Sequence, residues 1–197
     1  MAQPWFLAYD RAYLARPYQN DAEPYGVTVE KVDTPHYRAI GVHHLTPDEN
    51  RGLHNVFVEV IDARGERVRG IPVAYTWRGR RDDQEAPPVA VDKSDDEPGA
   101  NIPMGLNQFL TVWVTGPGPS DRVAGLATVF PDEGAGNYMG HHSFLVVFLA
   151  GENGGPAPGP GGWTQLELQG LMYELTNASN AIGNAQSMID SKLRGVS

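Results

Sequence analysis

Between Tyr25 and Ala150 the chain is cut into short stretches in which apolar and polar residues alternate, and this period of two limits the fold more than any other feature. The clearest case is Val56-x-Val58-x-Val60, where three valines share one face of an extended segment. The same reasoning predicts strands over 27–31, 37–45, 54–62, 68–77, 89–92, 109–115, 122–130 and 143–150. Turn formers separate them: Pro47-Asp48, Gly79, Pro98-Gly99, Gly116-Pro-Gly-Pro119 and Asp132-Glu-Gly134. The chain as a whole holds 23 glycines and 16 prolines, a turn-rich composition, so the expected class is mainly β, an antiparallel β-sandwich.

The stretch Val56 to Val73 predicts a hairpin: Asp62 and Gly65 shape the turn, and a second strand resumes from Val68 in register. This pattern resembles the hairpin of immunoglobulin-like modules in bacterial surface and phage proteins. Gly41-Val-His-His-Leu-Thr-Pro-Asp-Glu-Asn50, Asp92-Lys93 with Glu97-Pro-Gly99, and Gly140-His-His-Ser-Phe144 also resemble an accessory β-sandwich of bacterial secreted and cell-wall-degrading proteins. The resemblance spans residues 36–150. It implies an immunoglobulin-like sandwich used for binding or spacing, and it brings no catalytic residues.

Three segments flank this domain (25–150). Residues 1–24 form an aromatic N-terminal arm carrying Trp5, Phe6, Tyr9, Tyr13 and Tyr18. So many rings are not expected to stay in solvent, and a neighbouring subunit is the favoured surface because the core domain reads as complete without them. Residues 151–162 are a Gly/Pro-rich linker, pliable at glycine and extended at proline. Residues 163–197 read as a C-terminal α-helix, with Thr164 as N-cap and Glu167 three residues on.

That helix repeats apolar residues every three and four positions: Leu168, Leu171, Leu175, Ala178, Ile182, Ala185 and Ile189. A seam of this kind needs a partner surface, since a short helix is marginal alone in water. With Leu168 at position a, the e and g sites hold Met172, Glu174, Ser179, Ala181, Gln186 and Met188, without opposed charges. Small residues at Ala178, Gly183 and Ala185 allow close approach, which suits a homo-oligomer of three or more coiled-coil strands, a trimer being the smallest, or docking on other virion subunits; folding back on its own sandwich is the alternative, though it would leave the tether superfluous.

The net charge of −9 argues against nucleic acid and anionic lipid as partners. The absence of cysteine excludes disulfides and thiolate metal sites. No apolar run reaches the roughly 20 residues of a membrane span, and the N-terminus lacks the pattern of a signal peptide. No nucleophile elbow, phosphate-binding loop or dinucleotide fingerprint is present, so the expectation is a protein that is not an enzyme, with no cofactor and no metal.

Three groups are nonetheless weighed. The pairs His43-His44 and His141-His142 place neighbouring imidazoles on opposite strand faces, and the two pairs are able to meet across strands near Asp48 or Glu49; packed or hydrogen-bonded histidines are the expected state. The run Asp82, Asp83, Glu85, Asp92, Asp95, Asp96, Glu97 reads as a solvated loop, with Asp92, Asp95, Asp96 and Asn101 as the residues to test for calcium. Trp77 and Tyr138 are the candidate glycan-binding rings, whereas Trp113, in mid-strand, is expected in the core. The modular order suggests a virion or extracellular protein, such as a phage capsid decoration, fibre or tail-attached component. A carbohydrate-binding accessory module recognising a surface or cell-wall glycan is the alternative.

Overall fold

The computed structural model describes residues 4–130 and 141–151. The seam of the expected C-terminal helix, the linker from 152 onward and Tyr138 lie outside the described residues. In chain order the elements are α1 (Phe6–Ala15), β1 (Gln19–Asn20), a 3-10 turn (Glu23–Tyr25), β2 (Thr28–Glu30), β3 (Tyr37–His44), α2 (Pro47–Asn50), β4 (Asn55–Ile61), β5 (Pro72–Trp77), β6 (Val89–Ala90), β7 (Ala100–Pro103), β8 (Phe109–Val114), β9 (Arg122–Ala127) and β10 (Phe144–Ala150). Among the described residues these strands form two five-stranded sheets, ordered β1-β3-β10-β4-β7 and β2-β9-β8-β5-β6. The architecture fits the sandwich expected from the alternation. No helix among the described residues is long and apolar enough to cross a membrane.

The inner faces meet as a dry core. Val56, Val58 and Val60 of β4 and Phe144, Val146 and Phe148 of β10 pack with Val73, Leu110, Val112, Val114, Val123 and Leu126 of the second sheet. Strand β10 runs antiparallel to β3 and parallel to β4, so it fills the middle of its sheet. Its residues Phe144 to Phe148 are all buried, which explains why this strand reads as a continuous apolar run instead of alternating.

The predicted hairpin is corrected. The turn forms, with the Asp62 N–H donating to Glu66 O and the Gly65 N–H to Asp62 O, both at 2.9 Å. After one bridge, Ile61 to Arg67, the ladder stops. Gly70 takes φ +75°, a conformation costly for other residues, and its N–H is bound by Val91 O at 2.9 Å. The chain then starts β5 at Pro72, so β4 and β5 belong to different sheets. The alternation continues across the turn because both strands face the same core, which made one crossing look like one ladder.

The N-terminal arm is also corrected. Residues 6–15 fold as α1 on the outer face of the chain's own first sheet, not on a neighbour. Phe6 and Tyr13 are buried there with Ile40, Leu45, Phe57, Ile61, Leu145 and Val147, and Trp5, Leu7, Tyr9 and Leu14 pack around them. A second core therefore exists, which the arm completes. Its fit depends on a bulge: Val147 pairs with Gly41 and Phe148 with Ala39, leaving Ile40 as the extra residue. The bulge turns both Ile40 and Gly41 toward α1, and the Ile40 carbonyl accepts the Tyr18 N–H at 2.8 Å. A Cβ on Gly41 would overlap the Tyr13 ring. Gly41→Ala is expected to unseat α1 and cost about 1–3 kcal/mol. The check is a urea melt together with limited proteolysis, in which cleavage after Arg11 and Arg16 accelerates relative to the parent.

Trp113 departs from its expected core position. Leu110, Val112 and Val114 point inward, so Trp113 falls on the outer face of the second sheet. It is half-buried there, with the Arg122 guanidinium 4.6 Å from its ring centroid.

Candidate functional site

The histidine pairs do come together, at the end of the sandwich where β3 finishes and β10 begins. His43 and His44 are adjacent on β3 and diverge to opposite faces, as a strand requires. His43 turns to the α1 side, where the Tyr9 ring stacks on it at 4.0 Å between centroids. His44 turns to the other side and meets His142, with Nε2 and Nδ1 2.7 Å apart and the rings stacked at 5.0 Å. One of these two nitrogens must donate and the other accept, so the contact forms only with at least one neutral imidazole.

His43 is fixed by two carboxylates. Its Nδ1 lies 2.5 Å from Asp21 Oδ2 and its Nε2 3.0 Å from Glu49 Oε2. Burial alone would lower its basicity, but the hydrogen bonds and charges of Asp21 and Glu49 outweigh that and hold the imidazole above its ordinary value. Burial likewise pushes Glu49 upward, yet hydrogen bonds from His43, Thr46 and Tyr9 prevail and hold its carboxyl down to about 2. Both ring nitrogens are engaged by carboxylates, an arrangement that favours the protonated imidazole and leaves neither nitrogen free for a ligand.

Local sequence explains how Glu49 arrives there. Thr46-Pro47-Asp48-Glu49 forms a capping box: the Thr46 N–H donates to Glu49 Oε2 at 2.8 Å, and Pro47 occupies the first turn, where no N–H is needed. Tyr9 on α1 donates its hydroxyl to Glu49 Oε1 at 2.8 Å, tying the arm to the site. Asp21 does a second job, accepting the His44 N–H on Oδ1 at 2.7 Å.

Between these parts lies a cleft of about 560 Å³ lined by Tyr25, His44, Asn50, His141 and His142, with Asp21 and His43 at its wall. The Tyr25 ring is 40% exposed and stands 4.1 Å from His44 and 5.1 Å from Phe130. Asn50, 2% exposed, donates through Nδ2 to the His141 carbonyl. Its Oδ1, like His141 Nδ1, is buried with no hydrogen-bond partner among the described residues. Unpaired buried polar atoms of this kind cost about 1–3 kcal/mol each.

The expected meeting of histidines is thus found, but Asp48 is not part of it, and among the described residues no group of three or more His, Asp or Glu is arranged to hold a metal. Trp77 is not brought to the cleft. It ends β5 half-buried against the inter-sheet core, stacked on Tyr75 at 6.2 Å and flanked by the Arg80 guanidinium at 5.6 Å. Tyr25, Asn50 and Asp21 were missed, and only the capping-box spacing hinted that Asn50 ends a helical turn.

The acidic run is organised by arginine. Arg67 donates to the carbonyls of Lys93 and Ser94 at 3.0 and 2.9 Å and to that of Glu97 at 2.6 Å. Arg69 binds the Lys93 carbonyl at 2.7 Å and the Asp95 carboxylate. A guanidinium therefore stands amid the carbonyls that a cation would seek. Comparison with known proteins finds no match among protein families, curated proteins or solved structures.

Proposed function

We propose that this chain is a non-enzymatic structural protein of a virus-like particle, such as a capsid decoration, fibre or tail-attached component. It displays an immunoglobulin-like β-sandwich and is held in the assembly through residues 163–197. One observation carries the reading: among the described residues, the large exposed apolar side chains are not gathered into a stripe that would match the seam Leu168 to Ile189. The two sheets cover each other and α1 covers the outer face of the first. The exposed large apolar residues, Tyr18, Tyr25, Val32, Leu53 and Leu106, are scattered over separate loops and turns. A seam that finds no bed on its own domain takes another copy or another subunit. The arm, already spent on its own sheet, is removed as a second anchor.

Light scattering tests this. The full chain is expected to run as a trimer or larger species and a version ending at Ala150 as a monomer; a monomeric full chain would overturn the proposal. A second reading, a carbohydrate-binding accessory module, is favoured by the ring-lined cleft with its two unpaired polar atoms.

A further inference from the structure

The geometry points to the Tyr25–His44–His142 cleft as a binding site for a neutral, polyhydroxylated ligand, a saccharide. The inference rests on the second reading above and is independent of how the chain is anchored.

The lining selects the ligand class by elimination. The cleft's volume falls in the range of about 300–1,000 Å³ usual for small-molecule sites. An anion meets the Asp21 carboxylate at the cleft wall, on a chain whose net charge is already −9. A metal ion lacks a ligand set of three among the described residues. A purely apolar molecule would suit Tyr25, Leu45 and Pro47 but would set hydrocarbon against Asp21 and Asn50 in the same lining. A sugar answers all three constraints. Its hydroxyls both donate and accept, so they suit the mixed polar groups of the lining, the Asp21 carboxylate, the Asn50 amide and the imidazoles in either tautomer. Its flat C–H face suits the Tyr25 ring, which is 40% exposed and held between neighbours at 4.1 Å (His44) and 5.1 Å (Phe130).

The site is built before the ligand arrives. Asp21 holds the backbone of His44, Asn50 holds the backbone of His141, and Ser143 O accepts the Leu45 N–H at 3.0 Å. The three segments that contribute rings are thereby tied to one another, and ordering them on binding costs little.

Titration calorimetry on the full chain reads the proposal, using cellotetraose, maltotetraose and the tetramer of N-acetylglucosamine as probes. At least one is expected to bind; Tyr25→Ala should weaken it by about tenfold or more while Tyr25→Phe, which keeps the ring, stays within about twofold of the parent. Tyr25 is exposed, so neither change threatens the fold, and Trp77→Ala should leave binding intact. Binding lost in Trp77→Ala but kept in Tyr25→Ala would overturn this site and leave glycan binding standing. No heat from any of the three at about 10 mM would overturn both.

Discussion

Replacing Arg67 with methionine is expected to destabilise the fold by about 3–5 kcal/mol, because it strands a buried carboxylate. The Arg67 side chain is 8% exposed and that of Glu59 only 1%. The guanidinium grips Glu59 through two bonds of 2.6 and 2.9 Å, and the Gly99 N–H adds a third at 2.6 Å. Burial pushes Glu59 upward while the guanidinium and the amide pull it down. Without the arginine the Gly99 N–H alone opposes the burial penalty, and the carbonyls of Ser94 and Glu97 lose the guanidinium as donor, while Arg69 still reaches that of Lys93. Urea unfolding at neutral pH measures the loss. Adding Glu59→Gln to the same chain should recover a large part of it, since removing both charges is far cheaper than removing one. A single-variant loss below about 1 kcal/mol would mean that water reaches the pair.

Asp10→Asn is expected to do the opposite. Asp10 sits on the buried side of α1, 3% exposed, with Oδ1 unpartnered and the Glu59–Arg67 pair nearby. Desolvation raises its carboxyl to about 8, the Glu59 charge adds to the rise, and Arg67 opposes it. The folded form therefore holds a proton that the unfolded chain has released above about pH 4. Stability contributed by this group is complete below that point, falls as pH rises toward 8, and is flat beyond it. At about 1.4 kcal/mol per pH unit the loss reaches roughly 4 kcal/mol by neutral pH, an upper figure because local relaxation admits water. The amide carries no charge to bury, so the variant should be more stable by about 2–4 kcal/mol at pH 7 and should lack this slope. Melts at pH 5, 7 and 9 decide it: a gain that is the same at all three pH values sinks the assignment.

Much of the fold was legible in the chain because alternation reports burial directly. Val56, Val58 and Val60 face the core, and all eight strands read from the sequence are present, with ends displaced by a few residues. Which sheet a strand joins was not legible. Alternation says which side is greasy and nothing about the partner, so β4 and β5 looked like neighbours when they oppose each other. The short strands β1 and β7 were invisible because two to four residues carry no period. For the arm, the rings of Trp5, Phe6 and Tyr13 correctly signalled burial, but the domain looked finished without them. The missing clue was that β4 and β10 are apolar on both faces, through Phe57 and Ile61 and through Leu145 and Val147, so a second layer was required. At the cleft, the histidine pairs drew attention to the right place, while Tyr25 and Asn50 arrive from segments whose approach depends on β1 docking beside β3 and on the capping box. Neither is encoded in spacing.

The central placement of β10 has a consequence for biosynthesis. While the ribosome is still short of residue 150, β3 and β4 have no bridge between them, and the layer that α1 must cover is split into two halves. Closure of this sheet is thus deferred until β10, the last of the described strands, slides into a waiting slot, a long-range step of the kind that is slow. Nascent chains halted before Phe144 are left with greasy, unzipped edges, and those are the species that quality-control machinery would have to clear.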